Sequence, residues 1–503
     1  MAHVASLAEI ESVAYADIRV NPATAPKFYL HAKEVDIWSE DYRFFHSRTT
    51  TDYIRDAIKR SDAQGAELFP DVVGKLSEKE LLKTALYSGS PILLRGNRGY
   101  GKTTISKAIS KILPEKLLAI RDCRIHDDPT HPVCFACKWK ISHEERVDVT
   151  WVPRIWIRIP GDPMLTTRQL IGGVSLQKLR EGLDIDHPDV FVPGRALKAN
   201  RGVGYFDELG AIPSSLQTML HQLLEEHEVS TGEGEIVPLR IDSVEIASTN
   251  PSNYRGTSAI KEPLLDRMEV IDIGPPDSLN EEIEIAFRNS YYTQTHGRYP
   301  EIPAWHSRIL ANIPRLGRNS SRSRVQLAAE LSCRATIKLF DHVYSRTERR
   351  GGRVPLLVDY GKDNSVIKLA LSGRVELDYG ARISKEDFIN HLVSESMRAE
   401  CRTVYEEYLP KEEFGSFLNE LKSVSELREE GSFIVPDYRI IERLDGKPMT
   451  SLVFKRMQAE DTETKLSAFE IILNSLSVCS DFVSRFENGY LLKEMSRTAE
   501  AAV

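Results

Sequence analysis

The feature that most constrains this chain of 503 residues is a strand, a glycine-bearing loop and a helix that follow one another between residues 88 and 109. The sequence there is SGSPILLRGNRGYGKTTISKAI, in which an apolar run predicts a buried parallel strand and a helical pattern begins at Thr103. The loop holds Gly96, Gly101, Lys102 and Thr103 in the order GxxxxGK[ST]. This arrangement predicts an α/β fold with a doubly wound parallel sheet.

Each residue type in the loop has a chemical role. Glycines let backbone N–H groups surround phosphate oxygens, the Lys102 ammonium reaches the β- and γ-phosphates, and the Thr103 hydroxyl binds Mg²⁺. The loop therefore predicts a site for ATP and magnesium. The predicted nucleotide-binding residues of the loop and the first helical turn are Gly96, Asn97, Arg98, Gly99, Tyr100, Gly101, Lys102, Thr103 and Thr104.

The helix before this strand supplies a candidate adenine pocket. Such a helix commonly has the adenine pocket near its start, so Val73 and Gly74 are candidates for it. Ordinary core packing of these two residues is the alternative interpretation.

Composition excludes several classes of protein. A net charge of -8 gives no overall attraction for nucleic acid or for an anionic membrane, so nucleic acid is not an expected partner. The first twenty residues lack the pattern of a secretory signal, and the sequence has no apolar run of about 18 residues. We therefore expect a cytoplasmic protein without a membrane partner, in which the six cysteines are thiols or metal ligands.

A cysteine and histidine cluster lies in residues 121–138, RDCRIHDDPTHPVCFACK. Cys123 and His126 are spaced CxxH, Cys134 and Cys137 are spaced CxxC, and seven residues separate the two pairs. One interpretation is a structural zinc site, because four protein ligands leave no open position for catalysis. The other is a set of reduced cysteines packed in an insertion, since the outer spacing is shorter than in common zinc fingers.

Two further predicted strands end in polar residues. Residues 203–206 form a short apolar strand that is followed by Asp207 and Glu208, a Walker B arrangement at the carboxyl end of the strand. Asp207 would hold magnesium through water, and Glu208 would orient the attacking water. Alternatively, the acidic pair only caps the next helix. Strand 243–248 leads to Asn250, whose amide could fix this water or the γ-phosphate.

Residues 70–335 resemble an AAA+ ATPase module of the magnesium-chelatase subunit I and MoxR-like group. The resemblance rests on five stretches of the sequence: GNRGYGKT, IGG, VPGRALKANRGVGYFDE, ASTNP and KEPLLDRMEV. It implies a hairpin insert at residues 171–197 and a second insert at residues 228–240, both facing the working surface of a ring.

The resemblance also implies roles for three residues outside the loop. Asn250 would be sensor 1, and Arg267 would be an arginine finger acting on the γ-phosphate of a neighbouring subunit. Arg324 would be sensor 2, with Arg322 as the competing position. The alternatives are a surface arginine at residue 267 and a basic helix start at residues 322–324.

The predicted architecture is an AAA+ P-loop core with a helical lid and an additional mixed α+β C-terminal region. The predicted domains are an N-terminal extension (1–65), the nucleotide-binding core (66–275) with the cysteine and histidine insert (121–138), the lid (276–345) and the C-terminal region (346–503). In the last region, strands are predicted at residues 354–361, 365–373, 374–380, 432–438 and 450–457.

The family resemblance implies a motor that works as a ring, with a hexamer expected. ATP hydrolysis would drive metal insertion or client-protein maturation together with a von Willebrand factor A-domain protein. That partner would be a separate chain, since this sequence has no DxSxS pattern. The alternative is an ATP-binding regulatory or kinase-like switch that scaffolds partners with little turnover. The presence of Glu208, Asn250 and Arg267 favours turnover.

Overall fold

The computed structural model shows two compact units, Met1–Gly274 and Pro275–Val503. No described helix is long and apolar enough to cross a lipid bilayer. The structure describes residues 12–13, 16–42, 48–184, 190–226, 228–230, 238–250, 260–318, 327–428, 431–486 and 488–493.

Strands and helices alternate in the first unit. Its strands are β1 (Lys27–Leu30), β2 (Lys33–Val35), β3 (Ile92–Arg95), β4 (Lys116–Ile120), β5 (Arg146–Pro153), β6 (Trp156–Pro160), β7 (Gly172–Val174), β8 (Phe191–Pro193), β9 (Gly202–Asp207), β10 (Glu228–Ser230), β11 (Pro238–Arg240), β12 (Ser243–Thr249) and β13 (Glu269–Asp272). Its helices are α1 (Thr50–Gln64), α2 (Leu76–Ser88), α3 (Lys102–Ser110), α4 (Phe135–His143), α5 (Thr167–Leu170), α6 (Leu176–Arg180), α7 (Ser214–Glu226) and α8 (Glu262–Leu265).

A five-stranded sheet in the order β13–β3–β12–β9–β6 forms the centre of this unit, and all its pairings are parallel. Ala247 of β12 lies beside Leu93 of β3 on one side and Phe206 of β9 on the other, and all three are buried. Strands covered on both faces read as continuous apolar runs, which is why β3 and β9 were recognisable in the sequence. The predicted doubly wound parallel sheet is confirmed.

A second sheet in the order β2–β1–β5–β4 joins the N-terminal extension to the region around the cysteine insert. Its strands β1 and β5 are parallel, and Phe28 and Val147 are register partners in one buried cluster. Cys123 and Cys134 pack against this cluster and also against the core beside the central sheet. The insert therefore lies between two cores of the first unit.

Antiparallel strand pairs lie in both segments where the family resemblance implied inserts. One pair is β7 with β8, in which Gly172 faces Pro193. The other is β10 with β11, in which Glu228 faces Arg240.

The second unit is mainly helical. Its helices are α9 (Leu279–Asn289), α10 (Tyr291–His296), α11 (Ala304–Arg318), α12 (Cys333–Arg349), α13 (Ser365–Leu371), α14 (Lys385–Glu407), α15 (Phe414–Val424), α16 (Tyr438–Leu444), α17 (Pro448–Arg456) and α18 (Thr462–Cys479). Its strands are β14 (Glu426–Arg428), β15 (Gly431–Ile434), β16 (Val483–Phe486) and β17 (Gly489–Leu492), which form an antiparallel sheet.

One hydrophobic cluster extends from Ala286 in α9 to Leu492 in β17. The boundary drawn at residue 345 falls inside α12. The regions named lid and C-terminal region in the sequence thus share one core.

Four of the strands predicted in this unit are wrong. Residues 354–361 contain a 3₁₀ turn, residues 365–373 contain α13, residues 374–380 contribute an isolated bridge at Leu377, and residues 450–457 lie largely in α17. In α13 the buried residues are Ile367, Ala370 and Leu371, which are spaced three and four apart as on one face of a helix. A short apolar run fits either period, and packing in the core selected the helical one.

Candidate functional site

The glycine loop closes over the N-terminus of α3. Gly99 and Gly101 have φ angles of 81° and 89°, and Gly101 is the N-cap of α3. The first backbone N–H groups of a helix lack partners within the helix, so this end favours an anion. At the other end of the loop, a Cβ on Gly96 would lie 2.1 Å from the carbonyl oxygen of Ile273. Glycine at residue 96 is therefore required by the close approach of the segment after β13.

Lys102 is buried under the loop. Its ammonium donates to the carbonyl of Gly96, to that of Asn97 at 3.0 Å and to Asn250 Oδ1 at 3.2 Å. These contacts fix the Lys102 charge below the loop, where it suits the phosphates of a nucleotide. The structure thus places Lys102 beside Asn250, which directly follows β12, the neighbour of β3 in the central sheet.

Asn250 also contacts Glu208. Its Nδ2 donates to Glu208 Oε1 at 3.4 Å, and Arg98 Nη2 lies 3.2 Å from the same oxygen. Glu208 adopts a left-handed backbone conformation with a φ of 62° directly after β9. Three predicted catalytic residues, Lys102, Glu208 and Asn250, therefore form one connected group.

The two predicted magnesium ligands are linked through Tyr205. The Tyr205 hydroxyl lies 3.2 Å from Thr103 Oγ1 and 3.0 Å from Asp207 Oδ1. Burial raises the pKa of Tyr205 to about 12, so its hydroxyl stays protonated at neutral pH. Thr103 and Asp207 thus face a common position, and a hydroxyl with a carboxylate suits Mg²⁺, which prefers oxygen ligands.

Arg158 holds Asp207 from β6. Its Nε donates to Asp207 Oδ2 at 2.9 Å, and its Nη2 also contacts this oxygen. Burial alone would raise the pKa of Asp207, but hydrogen bonds from Arg158, Ser248 and Tyr205 outweigh burial and lower the pKa below its ordinary value. Asp207 is therefore a carboxylate under ordinary conditions.

Sequence reasoning missed Arg158, Ser248 and Tyr205. A signal for Arg158 was present, since an arginine stands in the middle of the apolar strand WIRIP. Ser248 lies in β12, where its hydroxyl accepts from the backbone N–H of Glu208 at 3.1 Å. A serine inside an apolar strand carries no pattern of its own, and only the sheet order places it beside β9.

Three predicted residues lie apart from this group of contacts. Arg267 Nη1 donates to the carbonyl of Pro263 at 2.7 Å, in the segment around α8. Val73 is half-buried and Gly74 has a φ of 62°, and both precede α2.

The remaining predictions concern the loop and the lid. Tyr100 is buried in the loop, and Thr104 is exposed on α3. Arg324 and the competing Arg322 lie outside the described residues.

The cysteine insert needs a correction. Ligand atoms of Cys123, Cys134 and Cys137 lie within 4.8 Å of one another, and the fourth member of the group is Asp127 where the sequence predicted His126. His126 has a φ of 58°, and its carbonyl accepts from Arg201 at 3.2 Å. The backbone turn at His126 directs the carboxyl group of Asp127 towards the sulfurs of the three cysteines. No CxxH pattern could reveal it.

Comparison with known proteins gives distant relatives. No family model matches the chain. The magnesium-chelatase 38 kDa subunit of Acidiphilium rubrum is 27% identical over 208 residues, which cover 40% of this chain and 56% of that subunit. The magnesium-chelatase 38 kDa subunit of Cereibacter sphaeroides is 24% identical over 238 residues, which cover 46% of this chain and 66% of that subunit. The chain thus spans between about half and two thirds of the length of these relatives.

Among solved structures, a chain from the BchI and BchD complex of magnesium chelatase is 19% identical. The match covers 65% of this chain and 98% of that chain with a TM-score of 0.34, a value too low to carry an argument. The central parallel sheet, the phosphate loop and the curated relatives together support an AAA+ P-loop ATPase that is similar to the magnesium-chelatase I subunits.

Proposed function

We propose that this chain hydrolyses ATP with magnesium. The observation that carries the proposal is the position of Asn250, whose amide contacts Lys102 at 3.2 Å and Glu208 at 3.4 Å. Lys102 is the phosphate-binding residue of the loop, and Glu208 follows the acidic end of β9. The Asn250 amide between these two groups suits a site in which a water molecule attacks the γ-phosphate.

In the proposed site, bound Mg-ATP supplies the reactive γ-phosphate. Lys102 and the loop N–H groups bind the phosphates and neutralise their charge. Thr103 and Asp207 hold the cation, and Arg158 keeps Asp207 oriented. Glu208 accepts a hydrogen bond from the attacking water, which positions that water for attack.

Three further roles follow the family resemblance and belong to the same proposal. Val73 and Gly74 would contact adenine, since they precede the helix that leads to β3. Arg324 would contact the γ-phosphate as sensor 2. Arg267 would act on the nucleotide of a neighbouring subunit, for which its partial exposure leaves access.

The test is phosphate release by the purified chain with ATP, with and without magnesium. We expect magnesium-dependent release that Lys102→Ala abolishes together with nucleotide binding. The matched control is Lys107→Ala, which removes an exposed lysine from the same helix and should leave release unchanged. Release that persists in Lys102→Ala would show that a contaminating enzyme or another site is responsible.

We also propose that the chain works as a ring, with a hexamer expected, in a remodelling complex. Its relatives are magnesium-chelatase subunits, which supports either metal insertion or client maturation as the task. A von Willebrand factor A-domain protein on a separate chain is the proposed partner. Light scattering with a slowly hydrolysed ATP analogue should give about six times the monomer mass of 56.9 kDa. A monomer at all concentrations would contradict this part of the proposal.

A second candidate function is an ATP-binding switch with little turnover. It is favoured by the contact between Arg98 and Glu208, because this ion pair occupies the carboxylate that would position water. Tight ATP binding without magnesium-dependent phosphate release would select the switch. If release is low in the parent and rises in Arg98→Ala, the ion pair restrains a competent hydrolytic site.

A further inference from the structure

The cysteine insert brings four ligand atoms to one point. Atoms of Cys123, Asp127, Cys134 and Cys137 all lie within 4.8 Å of one another, and the sulfurs of Cys123 and Cys134 are 3.9 Å apart. With Zn–S bonds of about 2.3 Å, neighbouring sulfurs of a tetrahedral zinc site are about 3.8 Å apart. A disulfide would instead require about 2.05 Å. The observed separation excludes a disulfide and fits two ligands around one ion.

The burial and hydrogen bonding of Asp127 independently favour a cation at this point. Its side chain is fully buried, and Oδ2 accepts from the backbone N–H groups of Val133 at 3.0 Å and Cys134 at 2.8 Å. The other oxygen, Oδ1, is buried and has no hydrogen-bond partner within the described part of the chain. A buried carboxylate oxygen in this state is costly unless a cation or a donor satisfies it.

We propose that Cys123, Asp127, Cys134 and Cys137 bind one structural zinc ion. Thiolates select zinc over magnesium and calcium, and a carboxylate oxygen completes a tetrahedral set. Four protein ligands leave no coordination position for a substrate, so the ion serves the fold. This site lies outside the nucleotide site and does not depend on ATP hydrolysis.

The zinc ion would hold the loop between β4 and α4. Cys134 and Cys137 lie at the start of α4, and Cys123 lies just after β4. Between them, the carbonyl of Ile125 accepts from Asn200 Nδ2 at 2.9 Å, and the carbonyl of His126 accepts from Arg201 Nη1. Asn200 and Arg201 come directly before β9. The ion therefore fixes a loop that contacts the entry to the strand leading to Asp207.

The test begins with the parent chain, so that it does not depend on the folding of any variant. We expect about one zinc per chain by elemental analysis of protein purified without chelators. After zinc removal, added Co²⁺ should give the thiolate charge-transfer band and the visible bands of tetrahedral cobalt. A zinc content near zero together with no cobalt spectrum would overturn the proposal.

Variants then test the ligand set. Cys134→Ser with Cys137→Ser should lose the metal, whereas Cys479→Ser, which changes a thiol of the second unit, should keep it. Asp127→Ala should lose zinc to a chelator at concentrations at which His126→Ala retains it. The opposite order for Asp127 and His126 would overturn the ligand set.

Discussion

The oxygen and the nitrogen of the Asn250 side-chain amide both form hydrogen bonds within the site. Oδ1 accepts from the ammonium of Lys102, and Nδ2 donates to the carboxylate of Glu208. Because Lys102 belongs to the phosphate loop and Glu208 follows β9, Asn250 connects two functions, namely phosphate binding and water positioning. An alanine there would separate them.

We expect Asn250→Ala to lower the rate of ATP hydrolysis by a factor of about 10 to 100 while ATP affinity changes by less. The reason is that one preorganised donor near the reacting groups is lost while the loop stays intact. Phosphate release and ATP titration measure the two effects. Asn289→Ala, at an exposed asparagine of the second unit, is the control. Equal hydrolysis in Asn250→Ala and the control would remove Asn250 from the site.

Glu245, in the strand that leads to Asn250, makes the free energy of unfolding depend on pH. Glu245 is fully buried in β12, and burial raises its pKa from 4.5 to about 8, against a hydrogen bond from Ser243 that lowers it. Between these two values the unfolded chain is ionised at this position while the folded chain keeps its proton. The free energy of unfolding therefore falls with rising pH in this window, by at most about 1.4 kcal/mol per pH unit.

Glu245→Gln removes this titration and keeps the side-chain shape. We expect the melting temperature of the first unit to fall from pH 5 to pH 8 in the parent relative to the variant. Calorimetry across this range measures the difference between the two proteins. Parallel curves would mean that Glu245 does not keep its proton in the folded chain.

Among individual residues, those that belong to sequence motifs could be predicted from the sequence. Gly96, Lys102 and Thr103 stand in a fixed spacing, so their roles could be predicted without coordinates. Arg158 lies in β6 and Tyr205 lies in β9. The contact of Arg158 with Asp207 and the contact of Tyr205 with Thr103 depend on which strands and helices are neighbours in the fold. Strand order is not encoded in a local pattern, which is why these two residues were missed.

The connection between β3 and the phosphate loop leaves no space for a side chain at residue 96. Gly96 approaches the carbonyl of Ile273, directly after β13, and its own N–H donates to the carbonyl of Thr249 at 3.2 Å. The loop is therefore held by both strands that flank β3. Any side chain at residue 96 must displace one of them.

We expect Gly96→Ala to lower the free energy of unfolding of the first unit by about 3 kcal/mol, because its Cβ would overlap backbone. The matched variant is Gly101→Ala, where a Cβ meets nothing within 4 Å and only the φ of 89° opposes it. For that variant we expect a cost of about 1 to 2 kcal/mol. Chemical denaturation gives both values. A larger loss for Gly101→Ala would contradict the packing argument.

Elements buried on both faces were predicted best. β3 and β9 contain apolar runs next to recognisable loops, β12 leads to Asn250, and all three strands exist as predicted. The short apolar runs of the second unit were assigned to strands, although α13 and α17 are helices. A run of four to seven apolar residues fits both periods, and only contacts within the shared core decide between them.

For the whole molecule, the proposed ring makes a prediction about mixed subunits. Arg267→Ala subunits keep their own Glu208, and Glu208→Gln subunits keep Arg267. Mixing them creates interfaces in which an intact Glu208 meets an intact Arg267. We expect mixtures to recover part of the hydrolysis that each variant lacks, and specific activity to rise with protein concentration as rings assemble.

Unmixed variants and mixtures of Lys102→Ala with Glu208→Gln subunits, in which every subunit lacks a residue of its own site, are the controls for this experiment. If mixing restores nothing and activity is independent of concentration, then Arg267 acts within its own chain or has no role in hydrolysis. In that case the shared site would have to be abandoned, although hydrolysis itself could stand.

The division into two units could be predicted only in part. Helical patterns after residue 275 were visible in the sequence, and the structure divides the chain after Gly274. The single core that joins Ala286 to Leu492 depends on contacts between residues far apart in the chain, which no local pattern predicts. The same reason explains why the N-terminal strand β1 was not predicted to pair with β5.

The most direct test of whether Glu208 positions water in a hydrolytic ATP site is single-turnover phosphate release by the parent and by Glu208→Gln, with the protein in excess over ATP. The variant keeps the size of the side chain and one oxygen that can accept from Asn250, and it replaces the charged carboxylate with a neutral amide. We expect Glu208→Gln to bind ATP as the parent does and to hydrolyse it more slowly by a factor of about 10² or more. Equal rates in the two proteins would show that Glu208 does not position the attacking water.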